Sequence, residues 1–413
     1  MSIFALAIDL GTTTLAASLV DCSTGQRVAM IGAMNPQRRF GADVVTRLDA
    51  AVNSETVQQE MTSLIREELL RMAHQLCQQS GIAWSDIRQV AIAGNPAMQH
   101  ILLGLPLKSL AYPPYRPLYT ASTIIKAAGL DWDGNADVYV FPMPGGFVGG
   151  DTVAFIYGAV PDDLTLCLDM GTNGEIALIC GDKIWATSAA AGPAFEGGNL
   201  SCGMVALHGA VNSVRIDGDR IRLQVIGNGQ PLGICGSAAI EAISELLGCG
   251  IIEPNGRLRD AGEIQSNLAS RIIIHEGANA FVLHRDARHQ IMITQDDIRQ
   301  VQLAKSAIRA GIEVLAERSR IHCQALNNVT LTGSFGAVLH ADWLKTIGIF
   351  DESMIHITRF TPEGALAGAE RALTLGDGFI TVEELGHRFR VVPLSGTPIF
   401  ETKFINNIDF PRS

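Results

Sequence analysis

The sequence predicts an α/β protein in which one domain plan is used twice. The first observation is a repeated motif, Ala-Ile-Asp-Leu-Gly-Thr-Thr-Thr at residues 7–14 and Cys-Leu-Asp-Met-Gly-Thr-Asn-Gly at residues 167–174. In both copies an apolar strand ends in Asp-x-Gly-Thr, and a second apolar strand follows. The second observation is that strongly amphipathic helices are predicted at 55–80 and 296–317, after the strands of each half. Internal repetition of this kind indicates a duplicated fold.

Length, composition and charge restrict the class of protein. The 413 residues, 47% of them hydrophobic and 42 of them glycine, indicate a globular chain with about two or three domains and many tight turns. The formal net charge of −11 argues against broad binding to nucleic acids or anionic membranes, because no basic excess supplies the attraction. No apolar stretch reaches membrane-spanning length, and no basic segment precedes a cleavable apolar one at the N-terminus. We therefore expect a cytoplasmic protein that binds neither nucleic acid nor membrane.

The first half is predicted to begin as an antiparallel β-meander. Strands are expected at 3–9, 14–21 and 27–33, and a Cys-Ser-Thr-Gly turn closes the hairpin between the last two. After the helix at 55–80 we expect, in order, a buried strand at 90–93, a helix to residue 103, a stiff proline-rich loop at 112–117, a strand at 138–141 and a helix at 151–159.

The second half is predicted to repeat this plan. The expected elements are strands at 164–169, 175–180 and 183–188, a helix from 236 to about 247, the helix at 296–317, and a strand at 328–332 that leads into a glycine-rich turn and a helix. We therefore assign a first domain to 1–160 and a second to 161–375. Residues 376–413 alternate apolar and polar, which favours extra strands or a subunit contact, the latter compatible with a homodimer.

The repeated motif suits the binding of phosphate and its metal ion. Glycine lets backbone N–H groups approach closely, threonine adds hydroxyl donors, and an aspartate at a strand end can hold a hydrated Mg²⁺. A single Asp-x-Gly-Thr is also a common hairpin turn. Two copies at matched strand ends, with a third glycine-rich turn at 333–336, favour the functional interpretation. Two such motifs could hold one nucleotide from both sides.

These motifs resemble those of the actin, sugar-kinase and heat-shock-chaperone ATPase superfamily, whose fold consists of duplicated ribonuclease-H-like domains around a central nucleotide cleft. Residues 7–14 look like its first phosphate motif, residues 167–174 like its second, and residues 331–336 like its adenosine motif. The segments 150–158 and 361–369 resemble its two connecting helices, and the small residues of the second would allow a close helix crossing at a hinge. The resemblance implies an actin-like ATPase fold with ATP and Mg²⁺ as ligands.

Further segments are similar to one branch of that superfamily, the ATPase domain of reductive activators of corrinoid proteins. The matching segments are Asn-Pro-Gln at 35–37, Gly-Ala-Asp-Val at 41–44 with Arg47, Gly-Asn-Pro-Ala-Met at 94–98, Gly-Phe-Val-Gly-Gly-Asp at 146–151, Asp-Met-Gly-Thr-Asn-Gly-Glu at 169–175 and Gly-Pro-Ala-Phe-Glu-Gly at 192–197. Such proteins look like ATP-driven devices that help return an inactive cobalt(II) corrinoid to cobalt(I). The resemblance implies a corrinoid protein of a methyltransferase system as the partner.

The resemblance also implies roles for the turn residues. Asp9 and Asp169 are expected to be catalytic and to face Mg²⁺ through water. The residues expected to bind the nucleotide phosphates are Gly11, Thr12, Thr13, Thr14, Gly171, Thr172 and Asn173. Those expected to let adenosine lie against the backbone are Gly333, Ser334 and Gly336. The structural alternatives are turn capping for the phosphate residues and a plain helix-start turn for the adenosine residues.

Five further residues have two interpretations each. Asp151 and Glu175 are candidates to orient the attacking water, but Asp151 could simply be the N-cap of its helix and Glu175 could face solvent. Gly236 and Ser237 could flank the purine or could only cap their helix. Glu196 could reach the ribose or the metal, or it could be an ordinary loop carboxylate.

One departure from the family concerns iron and sulfur. Such activators usually carry a separate ferredoxin-like iron–sulfur domain with closely spaced cysteines. The eight cysteines here are scattered, without CxxC or zinc-type spacing, which favours buried reduced thiols over a cluster shared between subunits. The chain also begins at the first phosphate strand. We therefore expect no iron–sulfur cluster in this chain and, in its place, a separate reductase or ferredoxin, or a purely conformational role.

Three functions fit these residues. The first is an ATPase that remodels a corrinoid protein, because a nucleotide-driven contact that removes an axial cobalt ligand would ease the reduction of cobalt(II). The second is a small-molecule kinase of the same fold, in which Asp151 would be the base near the γ-phosphate. The third is a non-catalytic nucleotide-binding scaffold, which the intact phosphate residues disfavour. The resemblance favours the first.

Overall fold

A computed structural model describes residues 3–41, 43–333 and 339–412. The helices are α1 Val44–Val52, α2 Glu55–Ser80, α3 Pro96–Leu103, α4 Lys108–Ala111, α5 Gly150–Ala159, α6 Gly236–Gly248, α7 Gln295–Ser319, α8 Ala341–Thr346, α9 Gly364–Thr374, α10 Gly378–His387 and α11 Pro398–Asn406. The strands are β1 Phe4–Leu10, β2 Thr14–Asp21, β3 Gln26–Met34, β4 Ile87–Gly94, β5 Thr123–Lys126, β6 Asp137–Val140, β7 Thr165–Met170, β8 Gly174–Cys180, β9 Lys183–Ala189, β10 Ala210–Asp217, β11 Arg220–Val225, β12 Gly233–Ile234, β13 Ile272–His275, β14 Ala278–Arg285, β15 Gln290–Thr294, β16 Asn328–Thr332, β17 Thr358–Phe360 and β18 Phe389–Val391.

The strands of the described residues form two six-stranded and two three-stranded sheets. The six-stranded sheets have the strand orders β3-β2-β1-β4-β6-β5 and β17-β16-β7-β8-β9-β18. The three-stranded sheets have the orders β11-β10-β12 and β13-β14-β15. Each six-stranded sheet therefore contains one of the two strands, β1 and β7, that end in the repeated motif.

The chain divides into two compact units. Unit 1 contains the residues up to Pro161 together with Gly181–Ala186 and Glu363–Val391. Unit 2 contains Asp162–Cys180, Thr187–Pro362 and the residues from Val392 onward. The polypeptide therefore passes between the units several times, and unit 1 is completed by α9, α10 and β18 from late in the sequence.

The sheet of unit 1 begins with the predicted meander. Strand β2 is antiparallel to both β1 and β3, whereas β4 runs parallel to β1. Near the end of β1, Asp9 lies opposite Ala16 on β2 and Ala93 on β4. Both register neighbours of Asp9 are therefore small alanines, at the edge of the sheet where β1 and β4 end.

Helices cover both faces of this sheet. The apolar side chains of Leu19 on β2 and of Ile8 on β1 join the core cluster that includes the buried face of α2. The neighbouring Ser18 instead donates a hydrogen bond from its hydroxyl to Glu370 of α9 at 2.5 Å. Since successive strand residues point to opposite faces, α2 and α9 lie on opposite sides of the sheet. The same alternation places Asp9 on the face of α9.

Helices α5 and α9 of unit 1 cross at glycine. A Cβ atom on Gly158 would lie 2.8 Å from the backbone nitrogen of Gly368, and one on Gly368 would lie 1.8 Å from the carbonyl oxygen of Ala154. No side chain larger than hydrogen fits at so close an approach. The small residues that the sequence showed in the second connecting segment therefore do form a close helix crossing.

Unit 2 repeats the arrangement of parallel and antiparallel strands around its own motif. Strand β7 is antiparallel to β8 and parallel to β16, which is itself parallel to β17. Helix α7 packs against β8, α11 packs against α7, and α6 packs against β10. The correspondence of β1-β2-β4 in unit 1 with β7-β8-β16 in unit 2 confirms the predicted duplication of an α/β fold.

Most predicted elements are observed, but the prediction of mainly strands at the C-terminus was wrong. The helix expected at 55–80 has the bounds of α2, and the buried strand expected at 90–93 is the longer β4. Residues 378–406, expected to form strands or a tail, are mainly the helices α10 and α11 with one short strand, β18. Helix α10 is stabilised by tertiary packing: the ring of Phe379 stacks on Tyr139 with 4.1 Å between centroids, and Val382 is buried.

No helix in the described part of the chain is both long and apolar enough to cross a membrane. All eight cysteines are free thiols. Cys77, Cys167 and Cys235 are buried, and burial raises the pKa of the Cys167 thiol to about 12. Cys77 in α2 and Cys167 in β7 fit the prediction of reduced cysteines inside apolar elements, whereas Cys235 is the N-cap of α6.

Candidate functional site

The turn that follows β1 is closed tightly by backbone and amide contacts. A Cβ atom on Gly11 would lie 2.3 Å from the carbonyl oxygen of Thr14, so only glycine fits there. The buried side chain of Asn35 donates a hydrogen bond from Nδ2 to the carbonyl oxygen of Gly11 at 2.9 Å. The backbone N–H of Asn35 donates to the carbonyl oxygen of Thr13, also at 2.9 Å. Asn35 therefore binds two of the turn's carbonyl groups and holds the turn in one conformation.

Asn95 connects the same turn to α3. Its Oδ1 atom accepts a hydrogen bond from the backbone N–H of Met98 at 3.0 Å, which caps α3, and its Nδ2 atom donates to Thr12 Oγ1 at 2.8 Å. Because the cap fixes which end of the amide is the oxygen, the Thr12 hydroxyl must accept. Its own proton is then available for a phosphate oxygen. Thr14, in contrast, begins β2 and is exposed.

A buried cluster of polar contacts around Arg47 lies next to this turn. It connects three of the segments that resemble the corrinoid activators, namely 35–37, 41–44 with Arg47, and 94–98. Arg47 is fully buried, and its Nε atom donates to the carbonyl oxygen of Gly41 at 2.9 Å. Its Nη1 atom lies 3.8 Å from the sulfur of Met98, which Asn35 Nδ2 also approaches at 3.6 Å. Burial lowers the pKa of Arg47 to about 10. Arg47 therefore stabilises the loop that follows Asn35.

Helix α5 begins beside the ends of β1 and β4. A Cβ atom on Gly149, the N-cap of α5, would lie 2.6 Å from the carbonyl oxygen of Gly94, which pairs in register with Leu10. The first turn of α5 therefore lies at the sheet edge that carries Asp9. Asp9 is half-buried there. The positive end of the α5 dipole at this edge favours negative charge.

Asp151 lies in that first turn but does not cap the helix. The N-cap is Gly149, and the Asp151 carboxylate accepts hydrogen bonds from the backbone N–H of Thr152 at 2.7 Å and from its hydroxyl at 3.4 Å. Loss of hydration in this half-buried position raises the pKa of Asp151 to about 6. A carboxylate whose pKa is close to neutral is suited to proton transfer. The capping interpretation of Asp151 is wrong, because the N-cap is Gly149, and its role in orienting water stays a prediction.

The second motif brings two carboxylates to one face of the unit 2 sheet. In the register of β7 and β8, Asp169 lies directly opposite Glu175, and on its other side Asp169 pairs with Thr332 of β16. Side chains directly opposite each other project from the same face of a sheet. Glu175 is half-buried, and its Oε1 atom accepts a hydrogen bond from the hydroxyl of Ser188 at 3.2 Å. Glu175 is therefore held beside Asp169 and does not simply project into solvent.

Within the second turn, Thr172 is bonded to Glu196. The backbone N–H of Gly171 donates to the carbonyl oxygen of Asn173 at 3.0 Å, which closes the turn. The hydroxyl of Thr172 donates to Glu196 Oε2, and a Cβ atom on Gly171 would lie 3.3 Å from Glu196 Oε1. Glu196, for which the sequence left open contact with the ribose or the metal and an ordinary loop position, lies against the motif itself.

The predicted adenosine turn begins close to the second motif. Gly333 has a φ of +130°, which favours glycine, and a Cβ atom on it would lie 2.6 Å from the carbonyl oxygen of Met170. Gly333 therefore brings the end of β16 against the end of β7. Ser334 and Gly336, which were also predicted to contact adenosine, lie outside the described residues.

Gly236 and Ser237 begin α6 in different environments. A Cβ atom on Gly236 would lie 1.8 Å from the carbonyl oxygen of Phe195, so α6 begins in direct contact with the Pro193–Glu196 turn. Ser237 is fully buried, and its hydroxyl lies 3.2 Å from the sulfur of Cys235. The N-cap of α6 is Cys235, so neither predicted residue caps the helix.

Among the described residues there is no group of three or more His, Cys, Asp or Glu side chains that could by itself hold a metal ion. The carboxylates nearest to the turns are Asp9 in unit 1 and the Asp169–Glu175 pair in unit 2. Mg²⁺ commonly binds through one or two carboxylates together with phosphate oxygens and water. Each motif, taken by itself, therefore offers a carboxylate of the kind that binds a magnesium ion arriving with a nucleotide.

Two known protein families match different parts of the chain, and the two matches together cover nearly its whole length. Residues 4–160 match the RACo middle region, and residues 163–413 match the C-terminal domain of RACo, the ASKHA domain. The chain belongs to the RACo family. Its duplicated α/β architecture is accordingly the actin-like ATPase fold of the ASKHA domain, as the sequence predicted.

Named relatives support the RACo assignment. The chain is 32% identical over 379 residues to the corrinoid activation enzyme RamQ of Eubacterium limosum, which covers 89% of this chain and 64% of RamQ. It is 27% identical over 390 residues to the [Co(II) methylated amine-specific corrinoid protein] reductase of Methanosarcina barkeri, covering 84% of this chain and 65% of that protein. The chain thus spans slightly less than two thirds of each relative.

A solved structure of a RACo-type protein has the same fold. It is described as a reductive activator for corrinoid, iron-sulfur protein, and it superposes on this chain with a TM-score of 0.88 at 30% sequence identity. The superposition covers 99% of this chain and 66% of that one. The similarity therefore extends through both units.

Proposed function

We propose that this chain is an ATP-dependent activator that assists the reduction of an inactive cobalt(II) corrinoid protein to cobalt(I). The observation that carries the proposal is the match of both regions, 4–160 and 163–413, to RACo. The names of two relatives, a corrinoid activation enzyme and a Co(II) corrinoid protein reductase, agree with it. The chain spans slightly less than two thirds of those proteins, so we limit the reaction proposed for its two units to the binding and hydrolysis of ATP.

Both turns are proposed to bind the phosphates of ATP. At the first turn, Gly11 allows close approach of the backbone, and Thr12 has a hydroxyl proton to donate because its oxygen already accepts from Asn95. At the second turn, the backbone N–H groups of Thr172 and Asn173 are proposed to face phosphate, because that of Gly171 already donates to the carbonyl oxygen of Asn173. Preorganised donors of this kind stabilise the charge that develops during phosphoryl transfer.

Magnesium is proposed as the metal partner of ATP. Asp9 and Asp169 would hold it through water, and Glu175, opposite Asp169, adds a second carboxylate at that strand end. The ion supplies neutralisation of charge on the β- and γ-phosphates.

Hydrolysis transfers the γ-phosphoryl group to water and yields ADP and inorganic phosphate. Asp151 and Glu175 are the proposed water-orienting carboxylates. The raised pKa of Asp151, about 6, leaves it mostly ionised at neutral pH and able to accept a proton from water. Glu175 is fixed by Ser188 and is therefore suited to positioning water.

Reduction of cobalt(II) to cobalt(I) consumes one electron, which ATP hydrolysis does not supply. The cysteines of this chain are scattered, without the close spacing of a cluster site. We therefore propose that the electron comes from a reductase or ferredoxin, and that nucleotide-driven closure changes how the corrinoid protein is held. A cytoplasmic location and a homodimer stay predictions.

A small-molecule kinase is the second candidate, favoured by one observation. Asp151, at the start of α5 with a pKa of about 6, could deprotonate a substrate hydroxyl as well as water. The two functions differ in the fate of the γ-phosphoryl group, which is released as phosphate by an ATPase and retained on a product by a kinase.

Phosphate release distinguishes these functions. We expect slow release from ATP that is stimulated by a corrinoid protein of a methyltransferase system in its cobalt(II) state and less by the same protein in its cobalt(I) state. Asp169→Asn should abolish the release, and Glu401→Ala, which alters an exposed carboxylate on α11, should not. Stoichiometric transfer of phosphate to a sugar or a carboxylic acid, without stimulation by the corrinoid protein, would refute the activator function and favour the kinase.

A further inference from the structure

The corresponding threonines of the two motifs have opposite hydrogen-bonding roles. The hydroxyl of Thr12 accepts from the amide of Asn95, so its proton is available to another group. The hydroxyl of Thr172 donates its only proton to the carboxylate of Glu196. An ionised carboxylate has no proton to give, so the direction of the second bond is fixed by chemistry. The two hydroxyls therefore cannot contact a nucleotide in the same way.

The position of Glu196 is fixed by close backbone packing. Glu196 ends the Pro193–Glu196 turn, which is followed by Gly197 with a φ of +84°. A Cβ atom on Gly197 would lie 2.6 Å from the carbonyl oxygen of Met204, and one on Gly236 would lie 2.9 Å from the backbone nitrogen of Glu196. Chain segments on both sides therefore restrain the turn, and the carboxylate is held against the second motif.

A carboxylate at this position repels phosphate oxygens and attracts cations. With its proton committed to Glu196, the Thr172 oxygen can offer only its lone pairs, which suit a metal ion or a metal-bound water. A phosphate oxygen needs a donor and gains nothing from such an oxygen. The role implied by the sequence for Thr172, donation to phosphate, therefore conflicts with the bond that Thr172 makes.

We propose that Glu196 is a positioning residue that holds the Thr172 hydroxyl with its lone pairs directed at the magnesium ion of bound ATP or at water of that ion. The inference rests on the proposed ATP-binding function and assigns the two threonines different tasks. Thr12 binds phosphate, and Thr172 binds Mg²⁺ or a water molecule bound to Mg²⁺. Loss of the Thr172–Glu196 pair should therefore weaken the effect of Mg²⁺ on nucleotide affinity more than it weakens the affinity for metal-free nucleotide.

The test is the affinity of the full chain for the non-hydrolysed analogue AMPPNP, measured by calorimetry with excess Mg²⁺ and again with EDTA. The ratio of the two affinities is the magnesium enhancement. For Glu196→Ala we expect the enhancement to fall about tenfold, as when the supporting partner of a metal ligand is removed. Metal-free affinity should stay the same or rise, because a negative charge is removed. Glu196→Gln, which keeps an acceptor for the Thr172 proton, should retain most of the enhancement.

Thr172→Val provides a second, independent variant. It should lose the enhancement as Glu196→Ala does, and the double variant should show no further loss, because the two residues act as one pair. If Glu196→Ala does not fold, Thr172→Val alone decides the question: a loss of metal-free affinity with an unchanged enhancement would mean that Thr172 donates to phosphate. Glu401→Ala is the matched control and should behave as the unaltered chain.

Three results would overturn the inference. An unchanged magnesium enhancement in Glu196→Ala would show that Glu196 does not act on Mg²⁺ through Thr172. Additive losses in the double variant would show the same. Failure of the unaltered chain to bind AMPPNP in either condition would overturn the proposed ATP-binding function together with this inference. The two failures are therefore distinguishable.

Discussion

Gly368 of α9 lies so close to Ala154 of α5 that a Cβ atom on it would be 1.8 Å from the Ala154 carbonyl oxygen. Both helices belong to unit 1, and they correspond to the two segments, 150–158 and 361–369, that resemble connecting helices. The contact is between backbones and has no side chain that could move aside. The crossing therefore depends on glycine itself.

Gly368→Ala should strongly destabilise unit 1. The added methyl group must displace the backbone of α5, so the free energy of unfolding should fall by about 3 kcal/mol or more. Gly376→Ala is the control, because no atom lies within 4 Å of the Cβ position of Gly376. Urea unfolding followed by circular dichroism measures both. Equal midpoints for the two variants would show that α5 and α9 do not cross as closely as described.

Asn95→Asp should weaken ATP binding without disturbing α3. The aspartate still accepts from the backbone N–H of Met98, but it cannot donate to Thr12 and adds negative charge beside the turn. Loss of this bond and the added repulsion should lower ATP affinity about tenfold or more. Asn135→Asp, in an exposed loop of unit 1, adds the same charge elsewhere. Calorimetric titration that shows equal affinities for the two variants would exclude Asn95 and Thr12 from the nucleotide site.

Asp151 should determine how ATP hydrolysis depends on pH. Its pKa is raised to about 6 by loss of hydration, so below that pH the carboxylate becomes protonated and cannot accept a proton from water. The rate of phosphate release should fall about tenfold per pH unit below pH 6. Asp151→Asn should be slow at every pH and lack this inflection. An inflection that persists unchanged in Asp151→Asn would assign it to another group.

Lys305 should make the stability of unit 2 rise at alkaline pH. Its side chain is buried, its ammonium donates to the carbonyl oxygen of Asp409, and burial lowers its pKa from 10.5 to about 8. Between pH 8 and 10.5 the unfolded state therefore binds more protons than the folded state, so the free energy of unfolding increases with pH in that window. Below pH 8 the penalty is constant.

Lys305→Met isolates this effect from other titrating groups. The unfolding free energy of the unaltered chain, relative to that of the variant, should increase by about 3 kcal/mol from pH 7.5 to pH 10.5. Urea unfolding at several pH values gives both quantities. Parallel pH profiles would show that Lys305 titrates at its ordinary pKa.

Periodicity and turn chemistry were enough to predict most of the architecture. The apolar stripe of α2 and the repeated strand–turn–strand pattern around Asp9 and Asp169 are local signals, and each is observed where it was expected. Helix α10 could not be predicted in this way, because its segment is rich in β-branched and aromatic residues. Its state depends on packing such as that of Phe379 on Tyr139, which are 240 residues apart.

The residue types at the site were also predictable, but their partners were not. Thr12 and Asn95 are 83 residues apart, and Thr172 and Glu196 are 24 apart, so no local pattern connects them. The pairing of Asp169 with Glu175 follows from hairpin register and could have been found from the length of the turn. To predict the opposite hydrogen-bonding roles of Thr12 and Thr172, one must know that their partners are Asn95 and Glu196.

We propose that ATP drives the formation of a cobalt(I) corrinoid protein with the help of this chain. The direct measurement is the visible spectrum of a cobalt(II) corrinoid protein mixed with the chain, a chemical reductant and either ATP or ADP. We expect the cobalt(I) spectrum to appear with ATP, but not with ADP and not with ATP when Asp9→Asn replaces the unaltered chain. Formation of cobalt(I) at the same rate with ADP, or with the Asp9→Asn variant, would contradict it.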